Sequence, residues 1–363
     1  MLAGGGGVCY AKRKRLRRRR PEDVRWGRFM EKDKVYTIND IARELGVSKT
    51  TVSRAISGKG RISRETQEKV FAFIEQHDYR PNGPARALAQ SKTYNLGLVF
   101  PADYSAVDFP FFKECMNGIY ETASRYEYDV VIAIADDQDF SGSRHLVENR
   151  KVDGMILSRS TVGNSAMQHY LKEKQMPFVV VGPAEEAGAA SVDNQNREGC
   201  CELTGILLLK GIRRLALLGG NRRHLVTESR LQGFKDAYRV QKIPEEESMI
   251  FFDIENYTAT AAAVEQILAW GADGILCMDD FIASMLIGCL QERNIRIPED
   301  MKLASFYDNP QFEFLSPTVT SLHYNTKGLG ENACLTLLRL LGEDVTEEEA
   351  VLNYQVILRE STK

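Results

Sequence analysis

Two short helical segments separated by one glycine constrain the fold more than any other feature of the chain. Within residues 36–57, apolar residues recur at helical spacing before Gly46 and again after it. Thr37 and Asp40 form a capping-box pattern for the first helix, and Ser48 is placed to cap the second. Gly46 suits the left-handed residue that ends such a helix. The pattern predicts two helices joined by a tight turn.

The second of these helices has a polar face that a DNA major groove can accept. Val52 and Ile56 are four residues apart and are expected to pack on the first helix, which leaves the polar side chains outward. The outward residues are Ser48, Lys49, Thr50, Ser53 and Arg54. Hydroxyls and cations on a short exposed helix favour a helix-turn-helix that reads base edges. The alternative is an ordinary helical hairpin with a solvated face.

The segment that follows supports the DNA-binding interpretation. Ser63 is placed to cap a third helix, from residue 64 to about 77, and Val70 and Ile74 complete a three-helix core. At this point the chain resembles the DNA-binding head and hinge of the lactose/galactose repressor family, with the spacing between motifs kept without gaps. The matching motifs are Thr37-Ile-Asn-Asp-Ile-Ala42, Gly46-Val-Ser48, Thr51-Val-Ser-Arg54, Ser63-Arg-Glu-Thr66, Tyr79-Arg-Pro-Asn82 and Ala85-Arg-Ala-Leu88.

The resemblance implies which residues contact a double-stranded DNA operator. They are Thr37, Ser48, Lys49, Thr50, Ser53, Arg54, Ser63, Asn82, Ala85 and Leu88. Lys49, Thr50 and Arg54 are expected to read base edges, and the serines and Asn82 to contact the phosphate backbone. A hinge helix of about eight residues is too short to persist alone in water. It is therefore expected to form when two copies pair on DNA, where Leu88 of each copy enters the minor groove.

The distribution of charge agrees with a DNA-binding head on a body that does not contact DNA. Residues 1–29 contain ten Lys or Arg and two acidic residues, and residues 30–90 contain eleven and eight. The remaining 273 residues contain 26 basic and 40 acidic residues. An acidic body repels phosphates, so only the head is expected to meet DNA. Residues 1–34 are predicted to be a disordered basic extension, and Met30 is a candidate for the natural start.

Beyond residue 93 the chain alternates between short apolar strands and helices. Strands are predicted at 95–100, 129–134, 153–158 and 177–182, and then at 214–219, 249–252, 274–278 and 302–306. Apolar runs of this kind are typical of strands buried on both faces of a parallel sheet. The two runs of strands predict two α/β lobes with a ligand cleft beyond the carboxyl ends of the strands.

This body resembles the effector domain of the same family, which has a periplasmic-binding-protein-like fold. The matching pieces are Pro110-Phe-Phe112, Val152-Asp-Gly154, Val192-Asp-Asn194, Ser229-Arg-Leu-Gln-Gly-Phe234, Met278-Asp-Asp280, Ile297-Pro-Glu-Asp300, Leu315-Ser-Pro317 and Arg359-Glu-Ser361. The predicted fold is an N-terminal all-α helix-turn-helix head with a hinge helix, followed by an α/β two-lobed domain with doubly wound parallel sheets.

The predicted domain boundaries follow from the same resemblance. The head comprises 35–80, the hinge helix and linker 81–92, and the effector-binding and dimerisation domain 93–363. Within that domain, lobe one is expected at about 93–190 and 324–341, and lobe two at about 191–322 and 343–363.

The candidate effector-binding residues are Phe111, Phe112, Asp193, Arg230, Asp279, Tyr307 and Asp308. In the family, the arginine at the position of Arg230 forms hydrogen bonds with the effector. The alternative is that the Arg230 side chain forms an ion pair on the surface. Asp193 and Asp279 directly follow strands, where they would accept hydrogen bonds from hydroxyls or else cap helices. Of the two phenylalanines, one is expected in the core, and Phe112 is favoured for the cleft.

Two positions depart from the family pattern, so the resemblance does not identify the ligand. Relatives often have Gly-Phe-Asp-Asp where this chain has Ser305-Phe-Tyr-Asp308, so Tyr307 replaces an aspartate that often binds ligand. Phe109 replaces the usual asparagine before Pro-Phe-Phe. The cleft is therefore expected to be more aromatic than in most relatives. A sugar is the commonest effector in the family, and nucleobases also occur.

Other functional classes lack their sequence signatures. The chain has no dinucleotide fingerprint, nucleophile elbow or phosphate loop, which argues against an enzyme. Its seven cysteines show no zinc spacing, and no apolar run is long enough to cross a bilayer. We therefore predict no cofactor, no metal, no membrane association and a cytoplasmic location.

The sequence thus predicts an effector-responsive bacterial transcriptional regulator, most simply a homodimeric repressor that binds a palindromic operator and is released by a sugar. A corepressor-dependent regulator and a sugar-binding protein without a DNA function are the alternatives. Effector binding is expected to close the two lobes and to change the order of the hinge helix.

Overall fold

The computed structural model describes most of the chain, in eight stretches. These are 36–57, 61–77, 92–102, 109–136, 139–159, 166–184, 188–244 and 249–363. The chain divides into two compact units between Arg86 and Ala87. The predicted hinge contacts Asn82, Ala85 and Leu88 lie outside the described residues, as do residues 1–34.

The first unit contains a three-helix head. Its helices are α1 (Ile38–Glu44), α2 (Lys49–Ser57) and α3 (Arg64–Gln76). Ile41, Val52 and Val70 are completely buried where the three helices meet. The predicted three-helix core is therefore confirmed.

The predicted caps of these helices are also confirmed. The hydroxyl of Thr37 accepts a hydrogen bond from the Asp40 amide at 3.3 Å, and the Asp40 carboxylate accepts one from the Thr37 amide at 2.9 Å. Gly46 follows α1 with φ of +66°, in the left-handed region that favours glycine. Ser48 and Ser63 cap α2 and α3, each accepting from the amide three residues ahead, at 3.0 and 3.2 Å.

Replacing Thr37 with alanine is expected to destabilise α1 by about 1 kcal/mol, because the capping box loses its hydroxyl. Amides of α1 should exchange hydrogen about fivefold faster in the full-length chain. Thr37→Ser keeps the hydroxyl and serves as the control. Equal exchange rates in the alanine and serine variants would show that the cap contributes nothing.

The second unit contains two sheets, each flanked by helices. The first sheet has strands β1 (Asn95–Pro101), β2 (Asp129–Ala135), β3 (Gly154–Leu157), β4 (Phe178–Val181) and β5 (Ala190–Val192). The second has β6 (Leu215–Leu218), β7 (Ile250–Phe251), β8 (Gly274–Cys277), β9 (Lys302–Ser305), β10 (Thr320–Tyr324) and β11 (Tyr354–Ile357). The helices are α4 (Phe109–Arg125), α5 (Ser141–Glu148), α6 (Ala166–Glu173), α7 (Asn196–Leu209), α8 (Leu225–Gln241), α9 (Tyr257–Trp270), α10 (Asp280–Glu292) and α11 (Thr326–Leu340).

Both sheets have doubly wound topology. The strand order is β2-β1-β3-β4-β5 in the first lobe and β11-β10-β9-β8-β6-β7 in the second. All pairs are parallel except β10 with β11, which is antiparallel. The eight predicted strands are present, whereas β5, β10 and β11 were not predicted. In this topology ligands bind beyond the carboxyl ends of the strands, next to the point where the strand order reverses.

Helix α11 follows a strand of the second lobe but packs in the first lobe, against α4 and the β3–β5 strands. Glycines make the contact with α4 very close. A Cβ atom on Gly330 would lie 2.0 Å from the carbonyl oxygen of Cys115, and one on Gly118 would lie 2.1 Å from the carbonyl oxygen of Lys327. The two helices therefore touch backbone to backbone. No helix in the described stretches is long and apolar enough to span a membrane.

Candidate DNA-binding face and ligand cavity

Helix α2 presents the predicted DNA-binding side chains to solvent. Val52 and Ala55 are buried against the rest of the head, while Lys49, Thr50 and Arg54 are exposed on the opposite face. Ser53 is exposed on the same face. The helix thus offers two cations and two hydroxyls, the groups that hydrogen-bond to guanine and phosphate.

The other three predicted contacts in the head already serve as helix caps. The hydroxyls of Thr37, Ser48 and Ser63 each accept a backbone amide in the first turn of the helix that follows. A capped helix start directs its remaining amides outward, where they can meet a phosphate. Their contacts with DNA stay predictions.

In the second unit, a cavity of about 390 Å³ lies where the carboxyl ends of the two sheets face each other. The first lobe contributes residues after β1, β3, β4 and β5, and the second lobe contributes residues after β6, β7, β8 and β9. Six of the seven predicted effector residues line it: Phe111, Phe112, Asp193, Arg230, Asp279 and Tyr307.

Arg230 is held in place by two hydrogen bonds from its guanidinium. Nη1 donates to the carbonyl oxygen of Met278 at 2.6 Å, and Nε donates to Oδ1 of Asn196 at 3.2 Å. The residue lies in the second turn of α8, half-buried at the cavity wall. These contacts fix the guanidinium as a planar donor, which suits recognition of paired hydroxyls or of a carboxylate. Arg230 is therefore part of the cavity wall and does not form the surface ion pair considered as the alternative.

Asp193 is a half-buried acceptor near Arg230. Its Oδ1 accepts hydrogen bonds from the Asn194 amide and from the side chain of Asn196, both at 2.8 Å. Burial raises the pKa of the Asp193 carboxyl above its usual value, and the two hydrogen bonds oppose that shift. Asn196 therefore links the acid and the arginine, because it donates to Asp193 and accepts from Arg230.

Asp279 and Asp280 form the acidic edge of the cavity on the second lobe. Asp279 caps α10, with Oδ1 accepting from the Ile282 amide at 2.8 Å, and it also lines the cavity. Its predicted roles as helix cap and as cavity acceptor are therefore compatible. Asp280 is buried and accepts from the side chain of Asn309 at 2.7 Å.

Aromatic rings form the inner wall of the cavity. Phe111 of the first lobe meets Tyr307 of the second edge to face, with ring centroids 5.7 Å apart. Phe112 packs on Phe111 at 5.3 Å but is only 3 % exposed and belongs to the first-lobe core. Phe111 is half-buried and is the more exposed of the two rings that line the cavity, whereas the sequence favoured Phe112.

Tyr307 connects the two lobes. Its hydroxyl shares a hydrogen bond of 2.6 Å with the hydroxyl of Thr326, the first residue of α11. Its ring stacks on Tyr324 with centroids 5.9 Å apart, and the guanidinium of Arg230 lies 6.0 Å from its centroid. Burial raises the pKa of Tyr307, so its hydroxyl stays protonated. Tyr307 therefore lines the cavity as an uncharged aromatic residue.

Asp308 is the one predicted effector residue that does not line the cavity. Its Oδ1 accepts from Arg359 Nη1 at 2.8 Å and from the Ser321 hydroxyl at 2.5 Å. The side chain of Arg359 is only 9 % exposed. Asp308 thus joins the segment after β9 to β10, through Ser321, and to the C-terminal segment, through Arg359. The carboxylate of Asp308 is therefore engaged within the second lobe and does not line the cavity, contrary to the expectation from the sequence.

Several cavity residues were missed from the sequence. They include Ser158, Arg159, Asn194, Asn196, Asn221, His224, Thr227 and Asp280. Most of them directly follow a strand or begin a helix, and that position in the sequence could have indicated a place at the cavity. Their residue types alone do not indicate a binding site. Among the described residues, no group of three His, Cys, Asp or Glu side chains is arranged to hold a metal ion.

Comparison with known proteins identifies both units. Residues 37–82 match the lacI family of bacterial regulatory proteins, and residues 204–362 match the periplasmic binding protein-like domain. Catabolite control protein A of Staphylococcus xylosus is 29 % identical over 332 residues, covering 90 % of this chain and 99 % of that protein.

Solved structures have the same fold. The lac repressor dimer bound to operator and the anti-inducer ONPF has a TM-score of 0.74 at 19 % identity, covering 91 % of this chain and 99 % of that one. The complex of the transcriptional regulator CelR with cellobiose has a TM-score of 0.65 at 24 % identity, covering 90 % and 99 %.

A helix-turn-helix head followed by a two-lobed binding domain defines a class of DNA-binding regulators that have a small-molecule cavity. The chain combines a lacI family DNA-binding domain with a periplasmic-binding-protein-like domain. It is a DNA-binding transcriptional regulator.

Proposed function

We propose that this regulator is a repressor that binds a palindromic operator as a homodimer and is released when a sugar occupies the cavity between its lobes. The observation that carries the proposal is the composition of the cavity wall, which contains Arg230, Asp193 and the half-buried ring of Phe111. A sugar offers hydroxyls to the polar groups and a C–H face to the ring.

The polar groups of the cavity match a neutral polyhydroxyl ligand better than an ion. Two arginines (Arg159 and Arg230) and four carboxylates (Asp193, Glu255, Asp279 and Asp280) line it. An ion of either sign would therefore meet like charge in the wall, whereas a mixture of donors and acceptors suits hydroxyls, each of which both donates and accepts. The volume of about 390 Å³ is in the range of small-molecule sites.

Closure of the lobes supplies the coupling to DNA in this proposal. Arg230 and Asp279 belong to the second lobe, and Phe111 belongs to the first, so a ligand that touches all three draws the lobes together. A ligand shifts the equilibrium only by its differential affinity for the two states. The predicted hinge contacts Asn82, Ala85 and Leu88 would be ordered or released by that movement.

We also propose that the protein has no catalytic role and acts in the cytoplasm, where its operator is accessible. The relatives named above are regulators rather than enzymes, which supports the first point. The solved lac repressor is a dimer on its operator, which supports a two-fold symmetric complex here.

Selection from a random double-stranded library with the full-length protein tests the DNA-binding part. The proposal expects enrichment of a palindrome, because a symmetric dimer contacts two half-sites. Enrichment of no sequence over non-specific DNA would contradict it. The ligand part is tested by a thermal-shift screen of sugars and nucleobases that starts with cellobiose, the ligand named for the related CelR complex.

Arg54→Ala is expected to weaken binding to the selected operator by about 1–3 kcal/mol and to relax specificity at one symmetric base pair. The exposed guanidinium of Arg54 is the best candidate on α2 for a paired contact with guanine. Competition binding against single-base variants of the operator measures both effects. Arg43→Ala is the control, because Arg43 lies on α1 and pairs with Asp40 at 3.5 Å. If Arg54→Ala bound the operator with unchanged affinity and unchanged discrimination between base pairs, Arg54 would not contact a base.

A further inference from the structure

The C-terminal end of α11 contacts the residue at which the described part of the second unit begins. The ammonium group of Lys92 donates to Oε1 of Glu343 at 2.5 Å, and the hydroxyl of Tyr128 donates to the same oxygen at 2.7 Å. The side chains of Lys92 and Glu343 are 31 % and 25 % exposed, so water screens this pair less than an ordinary surface pair. Burial and the neighbouring Glu343 raise the pKa of Tyr128, which keeps its hydroxyl a donor.

The next two residues of the main chain are held by a second carboxylate. The amides of Thr93 and Tyr94 donate to the two oxygens of Asp153, at 2.7 and 2.8 Å. The ring of Tyr94 also packs on that of Tyr128, with centroids 5.3 Å apart. Residues 92–94 are therefore fixed by one acid from the turn before β3 and by another from the end of α11.

Helices α4 and α11 run side by side from the ligand cavity to this point. At the cavity, α4 contributes Phe111 and α11 contributes Leu329. At the opposite end, Tyr128 follows α4 and Glu343 follows α11. The backbone contact at Gly330 leaves the two helices no room to slide past each other independently.

The cavity end of α11 is attached to the second lobe by the chain, since α11 begins two residues after the end of β10, and by a side-chain hydrogen bond. The first residue of the helix, Thr326, shares the 2.6 Å hydrogen bond with Tyr307, whose ring forms part of the cavity wall. A change in the position of Tyr307 therefore acts on one end of α11, while the other end holds Lys92.

We propose that Glu343 is a positioning residue that couples the position of α11 to Lys92, where the described part of the second unit begins. A shift of α11 at its cavity end reaches Lys92 through Glu343, and Asp153 resists that shift because it holds Thr93 and Tyr94 to the sheet. Lys92 thus responds to the cavity through one ion pair. This inference rests on the proposed function, since it names the route by which an effector would reach the head.

The test uses the full-length protein without DNA and without ligand. Glu343→Gln removes the charge but keeps the shape of the side chain. The amides of Thr93 and Tyr94 are then expected to exchange hydrogen about fivefold faster, and trypsin to cleave after Lys92 correspondingly faster. Glu347→Gln is the matched control, because Glu347 pairs with Arg125 at 2.8 Å near the same helix ends and does not contact Lys92.

Two further variants separate positioning from simple destabilisation. The charge-swapped pair Lys92→Glu with Glu343→Lys is expected to restore slow hydrogen exchange at Thr93 and Tyr94, which a general loss of stability would not allow. Lys92→Met removes the same pair from its other side and provides the exchange measurement if a Glu343 variant does not fold. Trypsin cleavage is compared only among variants that keep Lys92.

The coupling to the cavity is tested with Tyr307→Phe, which removes only the hydroxyl that binds Thr326. It is expected to raise exchange at Thr93 and Tyr94 about twofold, in the same direction as Glu343→Gln. Wild-type exchange in Tyr307→Phe, or in both variants of the Lys92–Glu343 pair, would overturn the inference. That result would leave the proposed function standing, since the operator selection and the sugar screen test it separately.

Discussion

Arg230→Ala is expected to abolish the response of the regulator to its effector while leaving operator binding intact. The guanidinium is fixed by Met278 and Asn196 at the cavity wall, so its hydrogen bonds to a ligand need no rearrangement. Loss of charge-assisted hydrogen bonds should weaken ligand binding by about 10- to 100-fold. The measurement is calorimetric titration with whichever sugar stabilises the wild-type chain in the screen, together with operator binding by the same preparation.

Arg239→Ala provides the control for that experiment. Arg239 lies on the same helix, α8, but pairs with Asp236 on the surface, so its loss should leave ligand affinity unchanged. An Arg230→Ala protein with wild-type ligand affinity would remove Arg230 from the site. A protein that lost operator binding as well would indicate that the arginine matters for folding rather than for the effector.

The largest loss of stability is expected from Gly330→Ala. The new Cβ would lie 2.0 Å from the carbonyl oxygen of Cys115 and 2.8 Å from its carbonyl carbon, both backbone atoms that no rotamer change can move. Helices α4 and α11 would have to separate, at a cost of about 3 kcal/mol in the free energy of unfolding. The unfolding temperature of the full-length chain should fall by about 5–10 °C.

Gly205→Ala is the matched control, because it is also a glycine within a helix. Its Cβ would have only the side-chain nitrogen of Gln241 nearby, at 3.8 Å, so alanine should stabilise α7 by about 0.5–1 kcal/mol. Opposite signs for the two substitutions would establish close packing as the cause. Equal effects would contradict the backbone contact between α4 and α11.

The sequence predicted the head and the eight apolar strands because their signals are local. The caps at Thr37, Ser48 and Ser63 depend on residues within one turn, and the runs of Val, Ile and Leu occur in strands covered on both faces. The strands β5 and β11 were missed because they are short and only partly buried. β10 is mostly buried, but its Thr, Ser and His residues do not form an apolar run.

Much of the cavity was also predictable, because residues after parallel strands must meet at one edge of the sheet. What could not be predicted was the direction of individual side chains. Tyr307 and Asp308 are adjacent, yet one faces the cavity and the other faces Arg359, a choice fixed by the path of the chain after β9. Likewise, Phe111 and Phe112 both line the cavity, but Phe112 is mostly buried in the first-lobe core and Phe111 is the more exposed ring.

The close contact of α4 with α11 and the Lys92–Glu343 pair were not foreseen from the sequence. Both join residues more than two hundred positions apart, and neither glycine nor a lone glutamate has a local signature for such a contact. Their identification required the three-dimensional arrangement of the first lobe.

The most direct test of the central claim is the affinity of the full-length protein for its selected operator, measured with and without a sugar that stabilises it in the thermal-shift screen. The account predicts that the sugar weakens operator binding by about 5- to 150-fold in the wild type and has no effect in Arg230→Ala. A sugar that strengthens operator binding would identify a corepressor-dependent regulator. An operator affinity that no cavity ligand changes would contradict the claim that this regulator is controlled through the cavity between its lobes.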